Sequence, residues 1–218
     1  MQLFHFVEER WGLDDIRRRR LKVARIEELN DPFELLGADL RHPALRAAVV
    51  ETKEEFAKVR GFLCFSRDWQ NPVQWGHYAA KHTGLCLGFD VPDEGDLVRP
   101  VEYSAKRFLV DVGRLITMPA PDPTVFGRFL FTKFAHWKYE KEVRAIVRLE
   151  KHENNLYFTD FGDDLRLSSV IVGARSEVTR ATLREALGDI AGDVETFKAR
   201  LAFGSFKVVR QRNAKLWL

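Results

Sequence analysis

The residues most suggestive of chemistry are Glu140-Lys141-Glu142, which are followed at once by Val143 and Arg144. The stretch WKYEKEVRAIVRL predicts one long strand, whose period of two places both glutamates and Arg144 on one face. Two carboxylates on one face repel each other unless a cation lies between them or binds there. The pair is therefore either part of a catalytic or binding site, or a solvated strand face on which Lys141 and Arg144 are the partners.

Three other places carry residue types that catalyse reactions or bind ligands. A histidine lies on an aromatic first strand, an apolar strand ends in Ser-Arg-Asp, and a short helix contains two histidines and a tyrosine. Each has an ordinary structural explanation in core packing, turn formation or a helical core face. The residues concerned are His5, Ser66, Arg67, Asp68, His77, Tyr78 and His82.

The composition predicts a folded, soluble protein of the cytoplasm. Hydrophobic residues make up 45% of the 218 residues, with 17 Phe and 5 Trp, which is too apolar for a disordered chain. No apolar run approaches the ~20 residues that span a bilayer, and the N-terminus lacks signal-peptide features, so no membrane partner is expected. Cys64 and Cys86 are too few for a disulfide framework or a zinc site, which favours a cytoplasmic location.

Missing motifs exclude several enzyme classes. The chain has no G-x-G-x-x-G, P-loop, G-x-S-x-G or H-E-x-x-H sequence, which excludes the common forms of Rossmann enzyme, NTPase, α/β-hydrolase and zinc protease. The net charge of +3 and the pI of 8.9 permit a nucleic-acid partner without requiring one. The basic run Arg17–Arg20 is interpreted as a helix C-terminus, with a phosphate-binding patch as the alternative.

The order of strands and helices predicts an α+β fold. Strands are expected over residues 2–7, 21–26, 61–66, 85–90, 98–103, 155–161, 168–173 and 205–211, besides the long strand after Trp137. Helices are expected over 13–19, 43–59, 72–82, 105–116 and 124–135, and after a cap at Ser176. Because these elements interleave irregularly, we expect a single domain over residues 1–218, with a mixed, mostly antiparallel sheet and several short helices.

Local signals set several element boundaries. Asp31, Pro32 and Glu34 have the spacing of a capping box at the start of a helix. Asn71 is expected to cap the helix that begins at the next residue, and Gly84 to follow that helix with a positive φ. The Pro-rich sequence MPAPDP, residues 118–123, is interpreted as a loop within the domain.

Several longer segments resemble a known family. They are LFHF, LKVARIEELNDPFE, CFSRDWQNPVQWGHYAAKHTGLCLGFD, KFAHWKYEKEVRAIV and SSVIVGA, and they extend over residues 3–174. In sequence and order they resemble the bacterial family known as domain of unknown function 2971. The family name implies no activity.

The order of segments also resembles the ADP-ribosyltransferase fold, particularly its DarT-like branch. That fold carries a His or Arg on its first strand and a catalytic Glu on a later strand, and the arginine-directed relatives have Glu-x-Glu there, as at Glu140 and Glu142. This chain departs from the pattern in offering His5 rather than Arg and in reducing the Ser-Thr-Ser motif to Phe65-Ser66-Arg67. The resemblance implies an ADP-ribosyltransferase-like fold and an enzyme with NAD as a substrate, whose ADP-ribose passes to a protein or nucleic-acid acceptor.

The same resemblance implies a role for each site residue. Glu142 would stabilise the cation that forms at the ribose as the bond to nicotinamide breaks, and Glu140 would orient or deprotonate the acceptor. The remaining residues would hold NAD or the catalytic carboxylate: His5 at the adenosine-side ribose, Tyr78 against nicotinamide, Ser66 on Glu142, Arg67 at the pyrophosphate, and Asn30 and Asp31 along the cleft. A toxin or phage-defence effector, with an antitoxin or defence partner, is the biological setting that this reading implies.

Two other functions fit the same residues. A metal-dependent nuclease would use oxygen ligands and one imidazole, taken from Asp31, Glu34, Glu140, Glu142 and His77. A non-enzymatic binding module is the alternative if the acidic strand is a solvated face.

Overall fold

Strands and helices alternate irregularly along the chain. The structure, a computed structural model, describes residues 1–92, 98–113 and 122–217. The strands are Gln2–Val7 (β1), Arg20–Val23 (β2), Arg60–Ser66 (β3), Leu85–Asp90 (β4), Val98–Pro100 (β5), Glu102–Ser104 (β6), Thr132–Phe134 (β7), Glu142–Arg148 (β8), Lys151–Glu153 (β9), Leu156–Asp160 (β10), Arg166–Val172 (β11), Glu195–Leu201 (β12) and Val208–Arg210 (β13). The α-helices are Glu9–Arg18 (α1), Pro43–Val59 (α2), Pro72–Tyr78 (α3), Pro123–Phe131 (α4) and Arg180–Leu187 (α5).

A large, mostly antiparallel sheet organises these elements. Its eight strands have the order β13-β12-β11-β4-β1-β3-β8-β5. Neighbouring strands are antiparallel except for β11 and β12, which are parallel. Two smaller sheets, β2-β10-β9 and the parallel pair β6-β7, accompany it. The predicted mixed fold with a mostly antiparallel sheet and several helices is confirmed.

The large sheet is split between β1 and β3. These strands pair at one register position, Phe4 with Ser66, whereas β1 pairs along its whole length with β4. Four residues before Ser66, the backbone of Phe62 instead bonds that of Ala24, just after β2. Between these two points the edge of β3 is open, which leaves room for a cleft.

Helices cover both sides of the sheet. α1 and α5 bury Leu13 and Leu183 in the same apolar cluster as Leu3 of β1. On the other side, α3 packs its buried Trp75 in a cluster that includes Phe4, Phe6 and the thiol-bearing Cys86. A third cluster joins α2 and α4 to β3 and β8 through Phe56, Phe131, Phe62 and Ile146.

Polar caps begin three of the helices. Asn71 accepts a hydrogen bond from the backbone N–H of Val73 at the start of α3, as predicted. Asp122 caps α4, and Thr179, rather than the predicted Ser176, caps α5. Ser176 instead accepts a hydrogen bond from the N–H of Val178 in a turn.

The predicted long strand after Trp137 is wrong in its first half. Residues Ala135–Glu140 form a 3₁₀ helix, and β8 begins only at Glu142. Lys141 lies between them in the left-handed region, with φ 47, so the chain turns sharply between the two glutamates. Glu140 and Glu142 therefore do not share a strand face, and any meeting of their side chains depends on this turn.

The predicted capping box at Asp31 is wrong as well. Residues 32–35 form a turn rather than a helix, and Asp31 accepts a hydrogen bond from the N–H of Phe33 within it. Glu34 is buried beside Arg144 instead of reaching back to the backbone. Ionic pairing with a residue far along the chain overrides the local capping pattern here.

Several other boundaries differ from the sequence prediction. Gly84 does not have a positive φ; the left-handed residues there are Ala80, Lys81 and His82. The predicted helix 105–116 is absent over 105–111, and residues 114–116 lie outside the described residues, as do 118–121 of the Pro-rich loop. β12 was not predicted, the predicted strand 98–103 is two short strands, and the helix predicted over 72–82 ends at Tyr78.

Candidate functional site

An open cleft lies where β1 and β3 separate. Its empty space is about 770 Å³, a figure that includes open solvent at the mouth. Strands β1, β3 and β8, the helix α3 and the segment after β2 all contribute to its wall. The lining residues are Phe4, His5, Phe6, Lys22, Ala24, Glu28, Leu29, Asn30, Glu34, Phe62, Cys64, Phe65, Ser66, Gln74, Tyr78, Lys133, Glu140 and Glu142.

A buried ammonium group holds the acidic side of the cleft together. Lys133 of β7 is 5% exposed, and its Nζ lies 2.7 Å from Glu140 Oε2, 3.1 Å from Glu142 Oε2 and 3.4 Å from Glu34 Oε1. Burial lowers the pKa of Lys133, but the three carboxylates outweigh burial and hold the pKa above its ordinary value. The sharp turn at Lys141 thus brings Glu140 and Glu142 to one cation.

A fully buried guanidinium completes this charge cluster. Arg144 Nε donates to Glu142 Oε1 at 2.6 Å and Nη2 donates to Glu142 Oε2 at 3.2 Å, a bidentate pair. The same Nη2 lies 2.6 Å from Glu34 Oε1, and Nη1 donates to the carbonyl of Leu130 at 2.8 Å. Arg144 therefore connects β8 to the turn at Glu34 and to α4.

The charge cluster has one more carboxylate than it has cations. Glu34, Glu140 and Glu142 face Lys133 and Arg144, so the cluster carries one net negative charge when all five groups are ionised. The second oxygen of Glu34 is buried and has no hydrogen-bond partner among the described residues. A wall of this kind favours a ligand that carries, or develops, positive charge.

The two glutamates of the cleft have opposite pKa shifts. Burial raises the pKa of Glu142, but the charges of Arg144 and Lys133 outweigh burial and lower this pKa to about 2. For Glu140 burial outweighs the contribution of Lys133, so its pKa lies above the ordinary value. A permanently ionised carboxylate beside one that exchanges protons more readily is the pattern of paired acid–base sites.

A short hydrogen-bond chain leads from Glu140 to the mouth of the cleft. The hydroxyl of Tyr78 donates to Glu140 Oε1, and the amide of Asn30 donates to the same hydroxyl. Burial and the adjacent carboxylate both raise the pKa of Tyr78, so its hydroxyl stays protonated and remains a donor. Tyr78 thereby fixes the orientation of Glu140 on the side opposite Lys133.

Ser66 holds the backbone at Glu140 rather than the side chain of Glu142. Its Oγ donates to the carbonyl of Glu140 at 2.6 Å and accepts from the amide of Gln74 at 3.0 Å. Gln74 is buried in α3, so this contact joins α3 to the turn before β8. Ser66 therefore positions the backbone of the acidic segment and not its side chains.

His5 contacts the open edge of β3. Its Nδ1 lies 3.0 Å from the carbonyl of Cys64, and because a carbonyl can only accept, Nδ1 carries the proton. Burial lowers the pKa of His5, which favours the neutral ring. In that form Nε2 is an acceptor, so the ring can accept a hydrogen bond from a ligand hydroxyl rather than donate one.

Most of the predicted site residues meet in the cleft. The structure brings together His5, Asn30, Ser66, Tyr78, Glu140 and Glu142 along its wall. The side chain of Arg67 is exposed outside the cleft, and Asp31 is buried in its own turn. The interpretation of the acidic pair as a solvated face is wrong, because both side chains are buried.

Sequence reasoning missed one of the two cations of the cleft, Lys133, and the ionic role of Glu34. Lys133 was predicted only as part of a helix, and Glu34 as a helix cap or as a metal ligand of a nuclease. The one available signal was the repulsion expected between Glu140 and Glu142, which requires a cation from elsewhere in the chain. Nothing in the local spacing identifies Lys133 as that cation.

The carboxylates of the cleft are paired with cations and are not arranged as metal ligands. Within residues 1–92, 98–113 and 122–217, no group of three or more His, Cys, Asp or Glu has an arrangement that could hold a metal ion. Of the five ligands expected for a nuclease, His77 and Asp31 do not line the cleft.

Comparisons of the chain with protein-family models, with curated proteins and with solved structures found no match. In the part of the chain that the structure describes, no helix is both long enough and apolar enough to span a bilayer.

Proposed function

We propose that the cleft binds NAD and that the protein transfers ADP-ribose from NAD to an acceptor. The observation that carries the proposal is the buried charge cluster, which places a surplus negative charge and two differently tuned glutamates on the wall of the cleft. The resemblance of the segment order to the ADP-ribosyltransferase fold supports the same conclusion. The acceptor is a protein side chain or a nucleic-acid base.

The reaction needs a fixed negative charge next to the ribose. When the bond between nicotinamide and ribose breaks, its electron pair leaves with the neutral nicotinamide, and C1′ of the ribose becomes an oxocarbenium-like cation. Preorganised charge is usually the largest catalytic contribution in such a step. Glu142 supplies this charge, because Arg144 and Lys133 keep it ionised and immobile.

The second half of the reaction needs a proton acceptor. A nucleophile of the acceptor forms a bond to C1′ and loses its proton as it does so. Glu140 takes that proton in our proposal, because its pKa is raised and because only one cation neutralises it. The hydroxyl of Tyr78 keeps the carboxylate of Glu140 directed toward the cleft.

The remaining residues of the cleft would hold NAD in place. The ring of Tyr78 offers a flat surface for nicotinamide, and Asn30 lies at its hydroxyl. The neutral ring of His5 would accept a hydrogen bond from a ribose hydroxyl through Nε2. Arg67 takes no part in binding the pyrophosphate in this arrangement.

The proposal is tested by measuring release of nicotinamide from NAD and transfer of labelled ADP-ribose in a cell lysate. Replacing Glu140 by Gln removes the proton acceptor and should lower transfer about 100-fold or more. Tyr78→Phe keeps the ring but removes the hydroxyl that orients Glu140, and should lower transfer about tenfold. Tyr157→Phe, the same chemical change on β10 away from the cleft, is the matched control.

Thermal unfolding of each variant separates a loss of activity from a loss of structure. If the wild-type protein transfers ADP-ribose and neither Glu140→Gln nor Tyr78→Phe lowers the rate of transfer, the assignment of these residues is refuted. No nicotinamide release by folded wild-type protein, with any lysate as acceptor, would refute the proposed function.

The biological setting that follows from this activity is that of a toxin or phage-defence effector. Uncontrolled transfer of ADP-ribose would consume NAD and modify cell components, so expression should arrest growth unless an antitoxin restrains the enzyme. Growth curves after induction test this, with Glu140→Gln as the inactive comparison. Equal growth of both strains would contradict the toxin interpretation.

A further inference from the structure

A hairpin at the edge of the large sheet projects two phenylalanines into solvent. β12 and β13 pair up to Leu201 and Val208, and a bond from the N–H of Ala202 to the carbonyl of Lys207 closes the turn. At the tip, Phe203 is 96% exposed and Phe206 is 99% exposed. Two neighbouring phenylalanines that are almost fully exposed on a turn do not pack in the core, and they indicate a surface that contacts a partner.

The hairpin and the segment after it are strongly basic. From Glu195, where β12 begins, to residue 218 there is one carboxylate, Glu195, which pairs with Arg210, against six Lys and Arg, namely Lys198, Arg200, Lys207, Arg210, Arg212 and Lys215. The whole chain has 35 cations and 32 carboxylates, so without these six the remainder has 29 cations and a net charge of −3. The positive charge of the protein is therefore concentrated at this end of the sheet.

The apolar residues lie at the tip of the hairpin, and the cationic residues lie behind them. Phe203 and Phe206 form the tip, and the guanidinium of Arg200 lies directly behind, 4.7 Å from the ring centre of Phe203. Lys207 follows Phe206 just before β13 and is exposed, whereas Arg210 further along pairs with Glu195. Groups that anchor proteins in a bilayer surface have this arrangement, with apolar side chains below the headgroups and cations level with the phosphates.

We propose that the hairpin tip docks on a membrane surface that contains anionic phospholipids. Phe203 and Phe206 enter the boundary between headgroups and acyl chains, while Arg200 and Lys207 bind lipid phosphates. Such docking needs only side chains at the surface and no spanning segment. The expectation of no membrane partner rested on spanning segments and signal peptides, and no described helix could span a bilayer.

The geometry of the tip favours a bilayer over a nucleic acid. Aromatic side chains that stack on bases usually lie against a groove or sheet, with one ring face supported by protein. Phe206 is almost completely exposed, so neither face of its ring is supported. The hairpin is also separate from the cleft, because none of its residues lines the cleft wall. Docking is therefore independent of the proposed transferase activity.

Co-sedimentation of the full chain with lipid vesicles tests the proposal. Wild-type protein should bind vesicles of phosphatidylcholine mixed with phosphatidylserine and should bind pure phosphatidylcholine at least about tenfold more weakly. The double variant Phe203→Ser and Phe206→Ser should lose at least about tenfold in binding, because two apolar side chains no longer leave water. Neutralising Arg200 and Lys207 to Gln should cost about fivefold for each charge.

Matched controls are available on other surfaces. Leu109 is also largely exposed, and Leu109→Ala should bind as the wild type does. Arg41→Gln with Arg148→Gln removes two exposed cations elsewhere and should have much the smaller effect on binding. Because Phe203 and Phe206 are not packed in the core, the double variant should keep the wild-type unfolding temperature and the wild-type rate of nicotinamide release.

Three outcomes would overturn the proposal. One is equal binding of wild type and the phenylalanine double variant to anionic vesicles. Another is no binding of the wild type to those vesicles at low salt. The third is binding of a single-stranded oligonucleotide that depends on Phe203 and Phe206 and displaces the vesicles, which would make the tip a nucleic-acid site.

Discussion

Glu140 and Glu142 are separated by a single residue in the sequence, but their surroundings differ. Glu142 receives three hydrogen bonds from two cations, whereas Glu140 receives one from Lys133 and one from the neutral hydroxyl of Tyr78. The first arrangement holds the negative charge in place, and the second leaves a carboxylate whose protonation can change. This difference is the basis for assigning the two glutamates different roles.

The buried position of Glu142 predicts a large effect on stability. Glu142→Gln leaves Arg144 without its bidentate partner in the core, and breaking a buried pair in this way costs about 3–5 kcal/mol. Urea denaturation followed by circular dichroism measures the change. Glu153→Gln, which removes an exposed partner of Arg18 and Arg20, should change the midpoint little. An unchanged midpoint for Glu142→Gln would mean that the charge cluster does not form.

The pKa of Glu142 predicts how stability changes in acid. This pKa is lowered from 4.5 to about 2 in the folded protein, so the carboxylate stabilises the fold at any pH above 4.5. Between pH 4.5 and about 2 the unfolded chain binds a proton that the folded chain does not, so this stabilisation is lost as the pH falls. Denaturation midpoints measured across that window should decrease more steeply for wild type than for Glu142→Gln. Parallel curves would contradict the shift.

At the scale of elements, the turn from α3 into β4 depends on close backbone contact. A Cβ added at Gly84 would lie 2.2 Å from the carbonyl oxygen of Val7 and 3.0 Å from the backbone of Ala79. Neither contact can be relieved by moving a flexible side chain. Gly84 is therefore required for its lack of a side chain, and not for the positive φ that the sequence indicated.

This close contact predicts opposite effects for two glycine substitutions. Gly84→Ala should destabilise the protein by about 2 kcal/mol or more, because the backbone of β1 must move. Gly76→Ala, within α3 and with nothing within 4 Å of the added Cβ, should stabilise it by about 0.5–1 kcal/mol. Thermal unfolding of both variants provides the comparison. Equal changes in unfolding temperature for the two variants would indicate that the backbone around Gly84 is not in this close contact.

The elements with clear apolar patterns were predictable from the sequence. β1, β3, β4 and α2 appear at nearly their predicted bounds, because alternation identifies β1, continuous apolar runs identify β3 and β4, and a long amphipathic pattern identifies α2. Residues 135–140 were not predictable in this way, since their mixture of aromatic and charged residues resembles a strand. The left-handed backbone at Lys141 separates these residues from β8, and a lysine does not indicate a positive φ in the sequence.

The candidate site was predictable in its residue types but not in its construction. His5, Tyr78, Glu140 and Glu142 were identified individually, and the structure brings them together. Arg144 lies beside Glu142 in the sequence, but Lys133 and Glu34 come from other parts of the chain, and Arg144 pairs with Glu34, 110 positions away. Such pairing depends on tertiary structure and leaves no trace in the local sequence.

On the scale of the whole molecule, the two proposed sites differ in charge and position. The cleft carries a surplus negative charge at the split between β1 and β3, whereas the basic hairpin lies at the far edge of the same sheet. Four strand-to-strand steps, from β1 through β4, β11 and β12 to β13, separate them. The two proposed ligands, a small molecule and a larger anionic surface, would therefore not compete for one site.

Binding of NAD should be visible as a stabilisation of the entire fold. A ligand at about 100 times its Kd stabilises the folded state by about 2.7 kcal/mol. For a chain of this size that corresponds to an increase of about 5–10 °C in Tm. Differential scanning fluorimetry with increasing NAD measures the shift, which should be smaller for Tyr78→Phe and unchanged for Tyr157→Phe. No shift at any NAD concentration would mean that the cleft does not bind NAD.

Both native thiols are protected by the fold. Cys64 lies in the wall of the cleft and Cys86 in the core beside α3, and burial raises the pKa of each thiol well above its ordinary value. Thiolate is the form that reacts with maleimides, so both residues should resist labelling while the protein is folded. A cysteine introduced at Ser205, between the two phenylalanines of the hairpin, would then be the preferred attachment point for a fluorophore. An environment-sensitive dye there would report directly whether the tip leaves water.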